Sequence, residues 1–177
     1  MIHQTKLRLY TALVNRLWKE LLEDNRDYTS VYTDIVYDSQ GQIVKWHIVR
    51  TRLQLKGTRS FVQIGREKAC LDTVRQSYVL PEYQYHYQPS EADQYAFRIE
   101  NHHRDGLHAN PDIRLEDRLP HHIPPDQLKL DIRGFSFLYF LITVSLYRAG
   151  LKYPLLPDTS DGYNLTIDMY RKQVESP

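Results

Sequence analysis

The run FSFLYFLITVSL occupies residues 135–146 and is the only strongly apolar stretch of the chain. A membrane-spanning helix needs ~20 consecutive apolar residues, so this run is too short and we expect a buried helix instead. The segment is apolar on nearly every side, and Gly150 follows it as a typical helix-ending residue. We therefore predict a core helix within residues 131–150, which neighbouring elements must cover.

The first part of the chain predicts a second helix. Apolar residues recur there at spacings of three and four, with charged residues between them, which indicates an amphipathic helix over residues 3–24. These apolar residues are Leu7, Leu9, Tyr10, Leu13, Val14, Leu17, Trp18, Leu21 and Leu22. After Pro157 the tail 158–177 is polar, with a short helix expected near Leu165–Lys172.

Residues 28–100 have the composition of a β-sheet region, with alternating, aromatic and β-branched stretches separated by turn residues. We expect strands in Ser30–Tyr37, Gln42–Leu53, Ser60–Gly65, Tyr83–Tyr87 and Tyr95–Glu100. In the second of these, Trp46 and Ile48 lie on the more apolar side, so His47 should face away from the core. Within residues 66–79 the spacing of Cys70, Leu71, Val74 and Tyr78 favours a short helix.

These elements predict a single α+β domain over residues 1–177. Its core would be an antiparallel sheet of about four to six strands, packed with an N-terminal and a C-terminal helix.

Charge and cysteine content restrict the function. The formal net charge is +1, so the chain has no bulk basic excess for nucleic-acid binding, and any such contact would be local. Cys70 is the one cysteine, which excludes an intramolecular disulfide and a cysteine-rich zinc site and is typical of a reducing compartment. The start has no apolar signal-peptide stretch, so we expect a cytoplasmic protein without a membrane span.

Histidines concentrate in the middle third of the chain. Six of the eight fall between positions 86 and 122, and five of them lie in residues 101–127, which show little periodicity and are expected to form a histidine-rich loop. The six are His86, His102, His103, His108, His121 and His122. Imidazole is both the side chain that titrates near neutral pH and a common metal ligand, so the cluster indicates catalysis or metal binding.

A metal site would combine side chains of this one loop. Its ligands would come from His102 or His103, His108, and His121 or His122, with Asp105 or Asp112. This spacing matches no established zinc pattern, so no cofactor is predicted, although a divalent metal stays open as an alternative.

The same region holds the residue types that metal-independent RNA cleavage requires. That reaction needs a base for the 2′-hydroxyl, an acid for the leaving oxygen and a cation near the phosphate. The candidate catalytic residues are Arg98, Glu100, His102, His103, His121 and His122. Arg104 is a candidate for substrate binding, as are Tyr85 and Tyr87 if they stack on bases. Alternatively, these tyrosines pack one face of the sheet against a helix.

Three short motifs resemble the TumE-like toxin–antitoxin proteins: Tyr85-His86-Tyr87, Phe97-Arg98-Ile99-Glu100-Asn101-His102-His103 and Pro120-His121-His122. The resemblance covers about residues 30–148. Ile99 stands where that family favours Tyr, Glu100 where it favours Asp, and the loop between the histidine groups is longer. The resemblance implies a cytoplasmic, nuclease-like toxin acting on RNA, with an antitoxin protein as its partner.

Two classes of function follow from these observations. One is an RNA-directed, metal-independent nuclease whose site is formed by the end of the Tyr95–Glu100 strand and the two histidine groups. The other is a non-catalytic module that binds a protein or a small ligand through the tyrosine-rich sheet and the histidine loop. Convergence of His102 or His103 with His121 or His122 in one cleft would favour the enzyme, whereas scattered, solvent-facing imidazoles would favour binding or no role.

Overall fold

A computed structural model describes residues 1–90, 96–102, 104–115 and 117–177. The strands in this part of the chain are β1 (Ile2–His3), β2 (Thr33–Tyr37), β3 (Ile43–Ile48), β4 (Thr51–Gln54), β5 (Phe61–Asp72), β6 (Ser77–Gln88), β7 (Phe97–His102) and β8 (Gly106–Pro111). The α-helices are α1 (Leu7–Leu21), α2 (Phe137–Arg148) and α3 (Gly162–Glu175). The eight strands form one sheet in the order β2-β3-β5-β6-β7-β8, with β4 also paired to β5 and β1 to β6. Every pairing is antiparallel, which confirms the predicted α+β class.

The three α-helices lie where the apolar patterns predicted them. Helices α1 and α2 are shorter than predicted, and α3 is longer. Helix α1 buries most of the predicted stripe, with Tyr10, Val14 and Trp18 wholly inaccessible to solvent, whereas Leu9 is exposed. Helix α2 begins at Phe137, and its first eight residues are all buried, as an all-round apolar helix requires. In the tail, α3 is longer than the short helix expected near Leu165–Lys172. None of the helices in the described residues is long and apolar enough to cross a membrane.

The prediction of a helix in residues 66–79 is wrong. Strand β5 continues to Asp72, and β6 begins at Ser77 after a turn in which the Asp72 carboxylate accepts hydrogen bonds from the backbone of Val74 and Arg75. Val74, assigned to the apolar helical face, is 92% exposed in that turn. Ladder hydrogen bonds to β3 and β6 on both sides of β5 outweigh the weak helical spacing.

The histidine-rich segment 101–127 is more regular than the sequence predicts. Strand β8 pairs with β7, and an isolated bridge joins Ala109 to Ile123, so the chain after β8 returns to the sheet edge. Ala109 and Ile123 are buried in the core. Their burial fixes the segment that carries His121 and His122 beside β8.

The helices pack on one face of the sheet, and the tyrosines of β6 point toward them. The Tyr85 ring lies 5.5 Å from Phe137 and 5.6 Å from Phe140 of α2, measured between ring centroids. Tyr83, Tyr85 and Tyr87 are 3%, 0% and 6% exposed. The tyrosines therefore form the interface between sheet and helix.

A buried carboxylate lies among these aromatic side chains. Glu67 of β5 is wholly inaccessible and accepts hydrogen bonds from the Tyr85 hydroxyl at 2.5 Å, the Trp46 indole nitrogen at 2.8 Å and the Tyr28 hydroxyl. Burial raises the pKa of Glu67, while these three donors act in the opposite direction. The donors supply partners for a group that would otherwise strongly destabilise the core.

The opposite side of the sheet, which we call the polar face, is defined by two rows of directly paired residues. Because paired residues of neighbouring strands point to the same side, each row forms a continuous line of side chains across the sheet. The first row is Arg52, Gln63, His86, Arg98 and Asn110. The second row is Arg66, Gln84, Glu100 and His108.

Candidate active site

Glu100 is the centre of a hydrogen-bonded cluster on the polar face. Its Oε2 accepts a hydrogen bond from Gln84 Nε2 at 2.5 Å. Its Oε1 accepts from Asn110 Nδ2 at 3.0 Å, lies 2.9 Å from His108 Nε2 and is 3.1 Å from Arg98 Nη2. The carboxylate is 6% exposed, so it organises its neighbours and is not open to a substrate.

The charge of Glu100 is retained despite this burial. Burial raises the pKa of the Glu100 carboxyl, but the hydrogen bond from Gln84 and the positive charges of Arg98 and His108 outweigh it. The net result is a pKa below the usual range of a glutamate. The carboxylate is therefore ionised at neutral pH and holds the two cations in place.

His108 is fixed by an acceptor at each ring nitrogen. Nε2 faces the Glu100 carboxylate, and Nδ1 lies 3.1 Å from the carbonyl oxygen of Gly106. Both partners are oxygen atoms that accept hydrogen bonds, so the orientation of the ring is fixed from two sides. The side chain is 4% exposed, so the His108 ring is held at the floor of the site.

His121 and His122 add two solvent-exposed rings next to His108. The His122 ring centroid lies 4.7 Å from that of His108 and 4.9 Å from that of His121. Partial burial lowers the pKa of His122, and the positive charges of His108 and His121 lower it further. His122 is thus an accessible imidazole with a lowered pKa beside the buried His108 ring, which suits a general base.

Asp105 connects the first histidine group to the second. Its carboxylate lies 3.8 Å from Nδ1 of His102, and its negative charge also acts on His122. Asp105, His108 and His122 line one pocket of about 310 Å³, together with Leu107 and Pro124. The end of β7 and the returning chain therefore meet at the same sheet edge, although twenty positions separate His102 from His122.

The candidate residues have different placements in the structure. Arg98 contacts Glu100, and His122 contacts both His121 and His108, which Glu100 holds. His102 lies at the end of β7 and is linked to this group through Asp105. Arg104 is exposed in the turn between these strands, and its backbone nitrogen donates to His102 Nδ1 at 3.3 Å. His103 lies outside the described residues, as do residues 91–95, which include the start of the predicted Tyr95–Glu100 strand.

Two of the sequence assignments need correction. Tyr85 and Tyr87 were candidates for stacking on bases, but their rings are buried against the helical layer and are inaccessible to a substrate. Glu100 was a candidate for proton transfer, but both of its oxygens are engaged and buried. It contacts Arg98 and His108.

Sequence reasoning assigned no catalytic role to His108 and no role at all to Gln84 and Asn110. The alternation of Leu107 and Ala109 with His108 and Asn110 was the available signal, because it is the period of a half-buried strand. Within residues 1–90, 96–102, 104–115 and 117–177, no three histidine, cysteine, aspartate or glutamate side chains are grouped as a metal site would require. Asp112, one of the ligands considered, forms an ion pair with Arg114.

Comparisons with protein-family models, curated proteins and solved structures give no match for this chain.

Proposed function

We propose that this protein cleaves RNA by acid–base catalysis without a metal ion, at the pocket between the β7–β8 turn and His122. The observation that carries the proposal is the contact between the accessible His122 ring and the buried His108, which Glu100 holds. Only the His122 ring of this pair is open to a substrate, while the His108 ring is held by Glu100 and Gly106. This arrangement provides a base at the pocket and, with the Arg98 guanidinium beside Glu100, an electrostatic anchor for a phosphate.

The proposed reaction is a transesterification. His122 removes the proton of the ribose 2′-hydroxyl, and the 2′-oxygen then attacks the neighbouring phosphorus. The bond from phosphorus to the 5′-oxygen breaks, and His121 protonates this leaving oxygen. The products are a 2′,3′-cyclic phosphate and a 5′-hydroxyl end, and the proton taken up by His122 balances the one given by His121. The positive charges of Arg98 and His108 stabilise the negative charge that develops on the phosphate.

The resemblance to TumE-like proteins supports the same chemistry and adds a biological context. It suggests a cytoplasmic toxin whose partner is an antitoxin protein. The alternative, a binding module built on the tyrosine-rich sheet, has less support because Tyr83, Tyr85 and Tyr87 are buried. The contact between His108 and His122, with His102 linked to the same pocket through Asp105, supports the enzyme.

The test is incubation of the purified protein with a mixed-sequence RNA in the presence of a chelator, with analysis of the ends formed. His122→Gln should lower the rate of cleavage at least ~100-fold, the size expected for loss of a general base. His3→Gln is the matched control, because His3 pairs with Ser77 at the far end of β6. Equal rates for wild type and His122→Gln, or no cleavage by the wild type, would contradict the proposal.

A further inference from the structure

A second pocket lies between the start of α1 and the hairpin that joins β2 to β3. Its volume is about 470 Å³, larger than the pocket of about 310 Å³ beside His122, and none of the proposed active-site residues line it. This volume lies within the range of ~300–1,000 Å³ that small-molecule sites occupy. A ligand bound here would therefore be separate from the proposed RNA site.

Hydrogen bonds hold the two walls of this pocket together. Gln4 Nε2 donates to Gln42 Oε1 at 2.8 Å, which joins the short 3-10 helix before α1 to the hairpin. Asp38 orders the hairpin turn, because its Oδ1 accepts hydrogen bonds from the backbone nitrogens of Gln40 and Gln42, both at 2.9 Å. The pocket is thus formed before any ligand arrives, which lowers the entropic cost of binding.

Arg8 is the cation of this pocket. Its side chain is exposed, and among the described residues it forms no hydrogen bond and no ion pair. Arg8 lies in the first turn of α1, which contains no acidic residue, and a cation at this end of a helix opposes the helix dipole. Helix stability therefore does not explain Arg8, whereas a bound phosphate would, because guanidinium groups bind phosphates through paired hydrogen bonds.

Tyr37 and Gln40 of the hairpin supply groups that recognise a nucleobase. Tyr37 ends β2 and is 55% exposed, in contrast to the buried tyrosines of β6. An exposed aromatic ring is a surface on which a base can stack. Gln40 is exposed in the turn, and a glutamine amide can hydrogen-bond to both N6 and N7 of adenine.

We propose that this pocket binds a free adenine mononucleotide, with the phosphate on Arg8 and the base on Tyr37 and Gln40. A phosphate alone would use Arg8 and leave the hairpin side chains without a contact. A nucleoside would use Tyr37 and Gln40 and leave the guanidinium without an anion. Only a ligand that carries both a base and a phosphate engages all three accessible groups.

Isothermal titration calorimetry with adenosine 5′-monophosphate (AMP), adenosine and ribose 5-phosphate tests this proposal. The wild type should bind AMP at least about tenfold more tightly than either fragment, because each fragment lacks one of the two contacts. Arg8→Gln should weaken AMP binding about tenfold and leave adenosine binding unchanged. Tyr37→Leu should weaken binding of AMP and adenosine alike, by about tenfold, whereas Tyr37→Phe retains the ring and should keep the wild-type affinity.

Arg59→Gln is the matched control, because it removes another exposed guanidinium, in the turn between β4 and β5. AMP should bind this variant as it binds the wild type. Equal AMP affinities of wild type and Arg8→Gln, or equal affinities of the wild type for AMP and for either fragment, would overturn the proposal.

Thermal unfolding separates binding from a structural role of Arg8. Without nucleotide, Arg8→Gln should unfold at the same temperature as the wild type or at a higher one, because the substitution removes a cation that opposes the helix dipole. AMP should raise the unfolding temperature of the wild type but not that of Arg8→Gln. A lower unfolding temperature of Arg8→Gln without nucleotide would assign Arg8 to the fold and would contradict its role in binding.

Discussion

The burial of His86 predicts a specific dependence of stability on pH. Burial, with a further contribution from Arg98, lowers the pKa of His86 from 6.5 to about 4 in the folded protein. Between these values the unfolded chain binds a proton that the folded protein does not, so stability rises with pH through this range. The stability associated with the uncharged His86 ring is fully present above pH 6.5 and is lost as the pH falls toward 4.

The size of the effect follows from the two pKa values. Each pH unit between them contributes about 1.4 kcal/mol, so the whole interval corresponds to roughly 3 kcal/mol. Between pH 7.0 and pH 5.5 the loss attributable to His86 is about 1.2 kcal/mol. Glu67 has a raised pKa and titrates with the opposite sign, because its stabilising contribution falls as the pH rises above 4.5.

Urea unfolding at pH 7.0 and pH 5.5 isolates the contribution of His86. The wild type should lose about 1.2 kcal/mol more than His86→Gln, because Glu67 and the other titrating groups are present in both proteins and cancel in the difference. His3→Gln should lose as much as the wild type. Equal losses of unfolding free energy in wild type and His86→Gln would show that burial does not lower the pKa of His86.

Three further substitutions test the hydrogen-bonded clusters. Tyr85→Phe removes one donor from the buried Glu67 carboxylate and should lower the free energy of unfolding by about 1–3 kcal/mol in urea titrations; an unchanged value would refute the contact. Glu100→Gln keeps the side-chain volume but removes the charge at the centre of the site, so cleavage should slow by about tenfold or more and its pH–rate profile should shift; an unaltered profile would contradict an electrostatic role. In Gly65→Ala the new Cβ would lie 2.2 Å from Gln84 Oε1, so Gln84 must move away from Glu100. Both stability and cleavage should fall, and a variant with wild-type cleavage would show that this hydrogen bond is dispensable.

The regular parts of the fold could be predicted because their side-chain periodicity is unbroken. Alternation in β3 correctly placed Trp46 and Ile48 inside, and both are wholly buried, while the His47 side chain is 25% exposed. The helical spacing at the start and the apolar run at 135–146 likewise predicted α1 and α2.

Only the first part of β5 was predicted, as the strand Ser60–Gly65, because the side-chain periodicity of β5 changes phase after Gly65. Val62 and Ile64 point to the helices before Gly65, whereas Glu67 and Ala69 do so after it, since the ladder register shifts between Ile64 and Arg66. An irregularity of this kind shifts the buried positions by one residue and conceals the strand from a pattern of period two.

The candidate site could be predicted only in part, since its chemistry depends on pairing across strands. The histidine groups were recognisable from composition, but the central contact between Glu100 and His108 depends on the β7–β8 register. The burial of Glu67 could not be predicted either, because its hydrogen-bond donors come from three separate segments of the chain.

The polar face forms only when Gln63, His86, Arg98 and Asn110 are aligned across four neighbouring strands. Its formation therefore requires native strand pairing. A slip of any one strand by a single residue would turn its imidazole, guanidinium or amide toward the helices and expose an aromatic or aliphatic neighbour to water. Folding intermediates with shifted or incomplete strand pairing would therefore lack this row of side chains. The polar face would be complete only in molecules whose β5 to β8 are all in native alignment, so this face and the native sheet would form in the same step.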